Sequence, residues 1–145
     1  MTTQTDQDKR NALAAFLKID VADVLDASWH EDFYSTGGLG EYRVLTDDEA
    51  DEAVEEYIIE TLWAFNPEFL THYVLDGQVG PEELKCIIGD RCEDANPILL
   101  ALVGNNLPEL IEGAVAADGR GIFLAGYDFE ENESEDGTFY IYRTN

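Results

Sequence analysis

The spacing of apolar positions divides the chain into short helices and a few strands. Leu13, Phe16 and Leu17 recur at helical intervals and predict a helix over residues 8–18. The polar stretch 1–7 before it is expected to be disordered. Asp20 suits the cap of a second short helix, with Val21, Val24 and Leu25 turned inward. Residues 29–34 and 42–45 read as strands, and the three glycines between Ser35 and Gly40 predict the turn of a hairpin. Thr46 stands three residues before Glu49, the pattern of a capping box. Behind it Ala50, Val54, Tyr57, Ile58, Thr61, Leu62 and Phe65 define a helix over residues 47–64. Asn66-Pro67 opens a helix with Phe69, Leu70, Tyr73 and Val74 on its apolar face, and Gly77 ends it. Further helices start at Gly80-Pro81 (through Ile88), at Asn96-Pro97 and at Pro108, the last stopped by Gly119 and Gly121. Residues 122–125 and 138–143 read as the closing strands, with an acidic loop, 128–136, between them.

The order of these elements predicts an α+β fold, several short helices packed on a small antiparallel sheet. The length, 145 residues, fits a single domain over 1–145. Apolar residues make up 45% of the chain, enough to fill a core, so the acidity does not mark a disordered tail. That acidity is the outlying number. Asp and Glu total 32 against 8 Lys and Arg, a net charge of -24. Such a chain is expected to repel nucleic acid and anionic membranes and to attract cationic surfaces, so no direct nucleic-acid or membrane partner is expected. The N-terminus lacks the apolar stretch of a signal peptide, and the longest apolar run, residues 98–103, is far short of a membrane span. A soluble protein of the cytoplasm is expected, its oligomeric state open.

Catalytic signals are weak. His30 and His72 sit in no motif, and each reads as a surface or packed histidine. Cys86 and Cys92 are six apart, unlike a redox or zinc CxxC pair, and read as partly buried thiols. Asp128, Glu130, Asn132, Ser134 and Asp136 alternate as in a calcium loop. Glu133 stands where such a loop needs glycine, and Phe139 where it needs a bidentate Glu. Carboxylate pairs for glycoside hydrolysis are too numerous to single one out. The chain therefore reads as no enzyme, with no cofactor and no metal.

The informative element is the helix from Asp47. Asp48, Glu52, Glu56 and Glu60 form one row at four-residue spacing, and Asp47, Asp51 and Glu55 form a second beside it. No Lys or Arg occurs from residue 47 to 66. Like charges at this spacing each cost a few tenths of a kcal/mol. The helix start offsets this for Asp47 to Glu49, but Glu55, Glu56 and Glu60 lie too far along to gain. Successive acids in a row rise about 6 Å, similar to the phosphates of one DNA strand, and two rows resemble two strands across a groove. A protein that grips DNA through Lys and Arg would meet a similar field. The two rows are therefore the expected partner-binding residues, for a basic protein surface. A charged helix face is also what simple solvation produces, and an excess of acids with only three Lys also marks proteins of salt-loving organisms.

Two stretches carry a resemblance: Glu41 through Ala53, and Asp118 through Asp128 with the closing Phe139 through Asn145. They resemble segments of small bacteriophage- and prophage-encoded proteins. In size and charge the chain is also similar to phage DNA mimics that block restriction enzymes or CRISPR complexes. The resemblance implies an inhibitor of a host nuclease or CRISPR effector subunit in the host cell cytoplasm. It leaves open an accessory or regulatory phage protein without mimicry.

Overall fold

The computed structural model describes residues 4–26 and 31–145. The fold is α+β, with a five-stranded antiparallel sheet and seven α-helices among the described residues. The chain divides into two compact units, Met1–Val54 with Arg120–Asn145, and Glu55–Gly119.

The first unit holds the sheet, in the order β1-β2-β3-β5-β4. Helix α1 spans Gln4–Leu17, so residues 4–7, expected to be disordered, belong to its first turns. Asp6 explains the extension: its carboxylate accepts from Arg10 Nε at 2.9 Å and from the Tyr34 hydroxyl at 2.8 Å. Asp20 caps a single 3-10 turn, Val21–Asp23, by accepting from the Ala22 N–H at 3.0 Å. Only Val24 of the three apolar residues there is buried. Val21 and Leu25 are exposed, because the chain turns straight into the edge strand β1, Leu25–Asp26. Strand β2 is Phe33–Ser35, β3 is Glu41–Leu45, and the expected hairpin joins them with Tyr34 opposite Tyr42. Part of the first expected strand, residues 29 and 30, lies outside the described residues. Gly40 in the turn has φ +102, and a Cβ there would sit 2.8 Å from the Arg143 guanidinium, so only glycine fits.

Strand β5, Tyr140–Arg143, pairs with β3, placing Val44 opposite Ile141 and Leu45 opposite Tyr140. Side chains alternate across the pleat. Tyr42, Val44 and Ile141 face α1 and pack with Leu13, Ala14, Val24, Tyr34 and Phe139. Leu45, Tyr140 and Tyr142 point the other way. On that side the expected strand over 122–125 is instead helix α7, Arg120–Leu124, packed against β5. A four-residue apolar run fits either state, and the surroundings decide it. Gly121, expected to stop a helix, lies inside this one. A Cβ on it would meet the Phe129 carbonyl at 2.5 Å, so the helix rests directly on following backbone. The last strand, β4, Asn132–Glu133, comes from the stretch expected to be loop.

The second unit is helical. Helix α2, Asp47–Glu60, starts in the first unit and continues here. It ends four residues earlier than its apolar spacing predicts, giving way to a 3-10 turn at Leu62–Ala64. The capping box forms as expected: the Thr46 N–H donates to Glu49 Oε1 at 2.9 Å, and the Glu49 N–H to Thr46 Oγ1 at 3.3 Å. Asn66 caps α3, Pro67–Thr71, which stops well before Gly77. Helices α4, Pro81–Arg91, α5, Asn96–Val103, and α6, Leu107–Asp118, follow. Ile58, Leu62, Leu70, Leu84, Leu99, Val103 and Leu110 are buried, and Phe65, Phe69 and Tyr73 stack at 5.7 and 5.3 Å.

Asn96 does not cap its helix, contrary to its Asn-Pro signature. Its amide oxygen accepts from the Trp63 N–H at 3.2 Å, and its amide nitrogen donates to the Ile59 carbonyl. It thereby closes the backbone groups left open where α2 ends. Within Pro81–Asp118 an 18-residue window has mean hydropathy 1.3, long and apolar enough for a membrane span by composition, although no single apolar run there is long. The backbone is broken at Cys92 (φ 51) and Gly104 (φ 52) into helices of 11, 8 and 12 residues, and a span needs about 20 in one piece.

Candidate functional site

All seven expected partner-binding residues lie on α2 and are exposed: Asp47, Asp48, Asp51 and Glu52 in the first unit, Glu55, Glu56 and Glu60 in the second. Ala50, Val54 and Ile58 are buried, so Asp48, Glu52, Glu56 and Glu60, each two positions from one of them, must face outward, and Asp47, Asp51 and Glu55 lie exposed beside that row.

The two rows are not equivalent. Asp47 and Asp51 receive a cation that no local pattern could reveal, because it comes from 69 residues or more along the chain. Arg120, at the start of α7, places Nη1 2.9 Å from Asp47 Oδ1 and 2.9 Å from Asp51 Oδ1. The same nitrogen donates to the Asp47 carbonyl at 3.1 Å. Nε donates to Glu131 Oε1 at 2.7 Å, and the guanidinium lies 4.6 Å from the centre of the Tyr140 ring. The Tyr142 hydroxyl donates to the same Glu131 oxygen. Burial works against the charge on Arg120, yet the Glu131 carboxylate and its neighbours hold its pKa above the usual arginine value. Burial and the Glu131 carboxylate together push the Tyr142 hydroxyl up, so it stays a donor. In the other row, Asp48, Glu52, Glu56 and Glu60 pair with no Lys or Arg among the described residues, and neither does Glu55. The two rows thus differ: one holds no cation among the described residues, and the first two members of the other share the single positive charge of Arg120 with Glu131.

A second cation fixes the base of the same helix. Lys9 is 2% exposed and reaches Asp32 Oδ1 at 2.8 Å and Glu49 Oε1 at 2.9 Å. Burial opposes ionisation of Glu49. The Thr46 N–H and the Lys9 ammonium outweigh it and hold that carboxyl below the usual glutamate value. Glu49 therefore both caps α2 and ties its first turn to α1.

The carboxylates of Asp47, Asp48 and Asp51 each offer an oxygen within 4.8 Å of the others, close enough in principle to hold an ion. Two of the three are already served by Arg120, and all are exposed. The stretch that alternates like a calcium loop forms the β4–β5 hairpin. Asp136 accepts from Ser134 Oγ at 2.9 Å and from the Thr138 N–H at 3.0 Å, while Asp128 accepts from the Glu130 N–H at 3.1 Å. These acids organise backbone turns. Cys86 and Cys92, expected to be partly buried, are both exposed and free. His72 ends α3 and is exposed, and His30 lies outside the described residues.

The chain matches no family model, no curated protein and no solved structure. What α2 can do chemically is therefore argued from its geometry. Carboxylates on successive turns of a capped helix can accept guanidinium or ammonium groups from a partner, as Asp47 and Asp51 do from Arg120.

Proposed function

We propose that the protein acts by binding, through the exposed acidic face of α2, a cationic protein surface that otherwise holds the phosphate backbone of a nucleic acid. The observation that carries this reading is the open row Asp48, Glu52, Glu56 and Glu60, displayed on a helix whose opposite side is buried. A sequence selected for stability alone would place Lys or Arg among these acids, since each like-charged pair at this spacing costs a few tenths of a kcal/mol. A specific form of the proposal takes up the expected likeness of two segments to phage proteins. The protein would be a phage-derived inhibitor, acting in the host cytoplasm on a restriction nuclease or a CRISPR effector, whose channels are positively charged. On this reading the protein needs no cofactor and catalyses no reaction.

The test uses a fluorescent DNA duplex bound to purified restriction nucleases and CRISPR effectors. Added protein should displace the duplex from at least one of them, with the displacement fading as salt rises. Failure to release DNA from any of them at low salt counts against inhibition by mimicry.

A second reading has its own observation. Acids crowd both units, including surfaces remote in sequence from α2, as salt adaptation would require. A halophilic protein should unfold when salt is withdrawn, whereas an inhibitor should remain folded in dilute buffer.

A further inference from the structure

We infer that Ile122, Tyr127 and Phe129 form an apolar anchor for the cleft of a partner protein whose rim carries lysine and arginine. The inference rests on the reading of the protein as a binder of cationic surfaces, and it adds a second contact beside α2. Three of the large apolar side chains exposed among the described residues fall within one short segment, 122–129. Phe129 is 59% exposed. Its backbone is also in the left-handed region, φ 62, where a bulky side chain is rare and glycine or asparagine is usual. The turn around it is fixed on both sides. The Phe129 N–H donates to the Ala125 carbonyl at 2.7 Å, and Asp128 accepts from the Glu130 N–H at 3.1 Å. The Phe129 carbonyl lies against Gly121, so the two ends of the segment meet. Tyr127 is braced by the Arg143 guanidinium, 3.7 Å from its ring centre. Stability alone would favour a small polar residue at 129, because the ring there is mostly exposed and strains the backbone. An aromatic displayed at such a cost, and held in one place before any partner arrives, is suited to fill a partner's pocket.

The surrounding charge decides which pocket. Asp128 and Glu130 flank Phe129 and are exposed. Arg120 ties the start of the same segment to Asp47 and Asp51 of α2, all within the first unit. A cleft rimmed by acids would be repelled by these groups, as would a second copy of this chain at net charge -24. A cleft rimmed by lysine and arginine is attracted to them.

The test uses two peptide probes, octa-lysine and an octa-lysine extended by a pair of tryptophans. The native chain should bind the tryptophan peptide about tenfold more tightly than octa-lysine. Phe129→Asn suits the left-handed backbone and removes the ring. It should abolish most of that difference, leave the octa-lysine affinity within about twofold, and not lower the melting temperature. Leu25→Thr removes another exposed apolar side chain, in the edge strand β1, and should leave the difference intact. Equal affinity of the native chain for the two peptides would overturn the anchor while the cationic reading stands, as would equal losses from Phe129→Asn and Leu25→Thr. A lowered melting temperature for Phe129→Asn would make the ring a structural residue and overturn it too. Self-association of the native chain that Phe129→Asn abolishes, read by analytical ultracentrifugation, would make the occupant a second copy and contradict the charge argument. If the native chain binds neither peptide, the reading of the protein as a binder of cationic surfaces fails as well.

Discussion

The two units are both acidic, but they treat their cations in different ways. The first carries nineteen Asp and Glu against six Lys and Arg, the second thirteen against two. In the first, Lys9 joins Asp32 and Glu49, Arg10 joins Asp6 and Asp26, and Arg120 joins Asp47, Asp51 and Glu131. Arg10, Arg43, Arg120 and Arg143 lie over aromatic rings. In the second, Lys85 and Arg91 form no ion pair among the described residues. Its polar organisation comes from uncharged groups: the Asn66 cap, the Asn96 clasp, and Asn106, whose amide donates to the Tyr73 carbonyl at 3.1 Å. Scarce cations are thus concentrated where strands and helix ends must be fixed together. The helical unit, closed by its own backbone bonds, does without them. A large net charge tells little about a fold until one knows which few opposite charges are spent inside it.

Removing Lys9 should break this contrast most severely. Lys9→Met leaves Asp32 and Glu49 beside each other with no cation, and should cost about 2–4 kcal/mol, less than uncoupling a fully buried pair because water reaches both carboxylates. Chemical denaturation followed by tryptophan fluorescence would measure it. A loss under about 1 kcal/mol would mean that water already serves these carboxylates. In the second unit the matching change is Asn96→Ala. It strands the Trp63 N–H and the Ile59 carbonyl and should cost about 1–3 kcal/mol. Unlike the first, this loss should be nearly independent of salt.

Acid separates the units further. Burial opposes ionisation of Asp6, but Arg10 and the Tyr34 hydroxyl outweigh it and hold its carboxyl low, as Lys9 and Thr46 do for Glu49. A carboxyl whose folded pKa is depressed adds stability above its unfolded value, near 4, and loses that stability as pH falls through the folded value. Both groups lie in the first unit. Its amides should therefore lose hydrogen-exchange protection first below about pH 4, and simultaneous loss in both units would contradict this.

The smallest effect concerns Cys92, which ends α4 with φ 51 and ψ -128, a conformation that suits glycine. Cys92→Gly should stabilise the second unit by about 1 kcal/mol, after allowing for the added freedom of the unfolded chain. A fall in melting temperature would show that the exposed thiol packs better than its position suggests.

Much of the fold was legible because its signals are local. Thr46 with Glu49, Asn66 with Pro67, and the glycine turn between β2 and β3 are each set by neighbours within a few residues. What was hidden depends on distant partners. Asn96-Pro97 repeats the signature of Asn66-Pro67, yet the asparagine turns to Ile59 and Trp63 instead of its own helix. Residues 122–125 look like a strand until β5 is beside them. β4 has only two residues and no apolar alternation to announce it. In the candidate site, the place of the seven acids on one helix was legible, and the outward direction of Asp48, Glu52, Glu56 and Glu60 followed from the helical period. Their division into a filled pair and an open row did not, because Arg120 reaches α2 from far along the chain.

The most direct test of the account neutralises the open row and asks whether binding follows. Asp48→Asn with Glu52→Gln, Glu56→Gln and Glu60→Gln should leave the fold intact, since the buried face of α2 is untouched. Association with a DNA-displaced nuclease or effector, measured by surface plasmon resonance across a salt series, should slow markedly, and its salt dependence should flatten, because surface charges act mainly on the on-rate. Neutralising Glu130, Glu133 and Glu135, which hold neither Arg120 nor a turn through their carboxylates, removes charge elsewhere and should have the smaller effect. If the α2 variant associates as fast as the native chain, or if the hairpin variant is the slower of the two, the acidic face of α2 is only a solvated surface and the account is wrong.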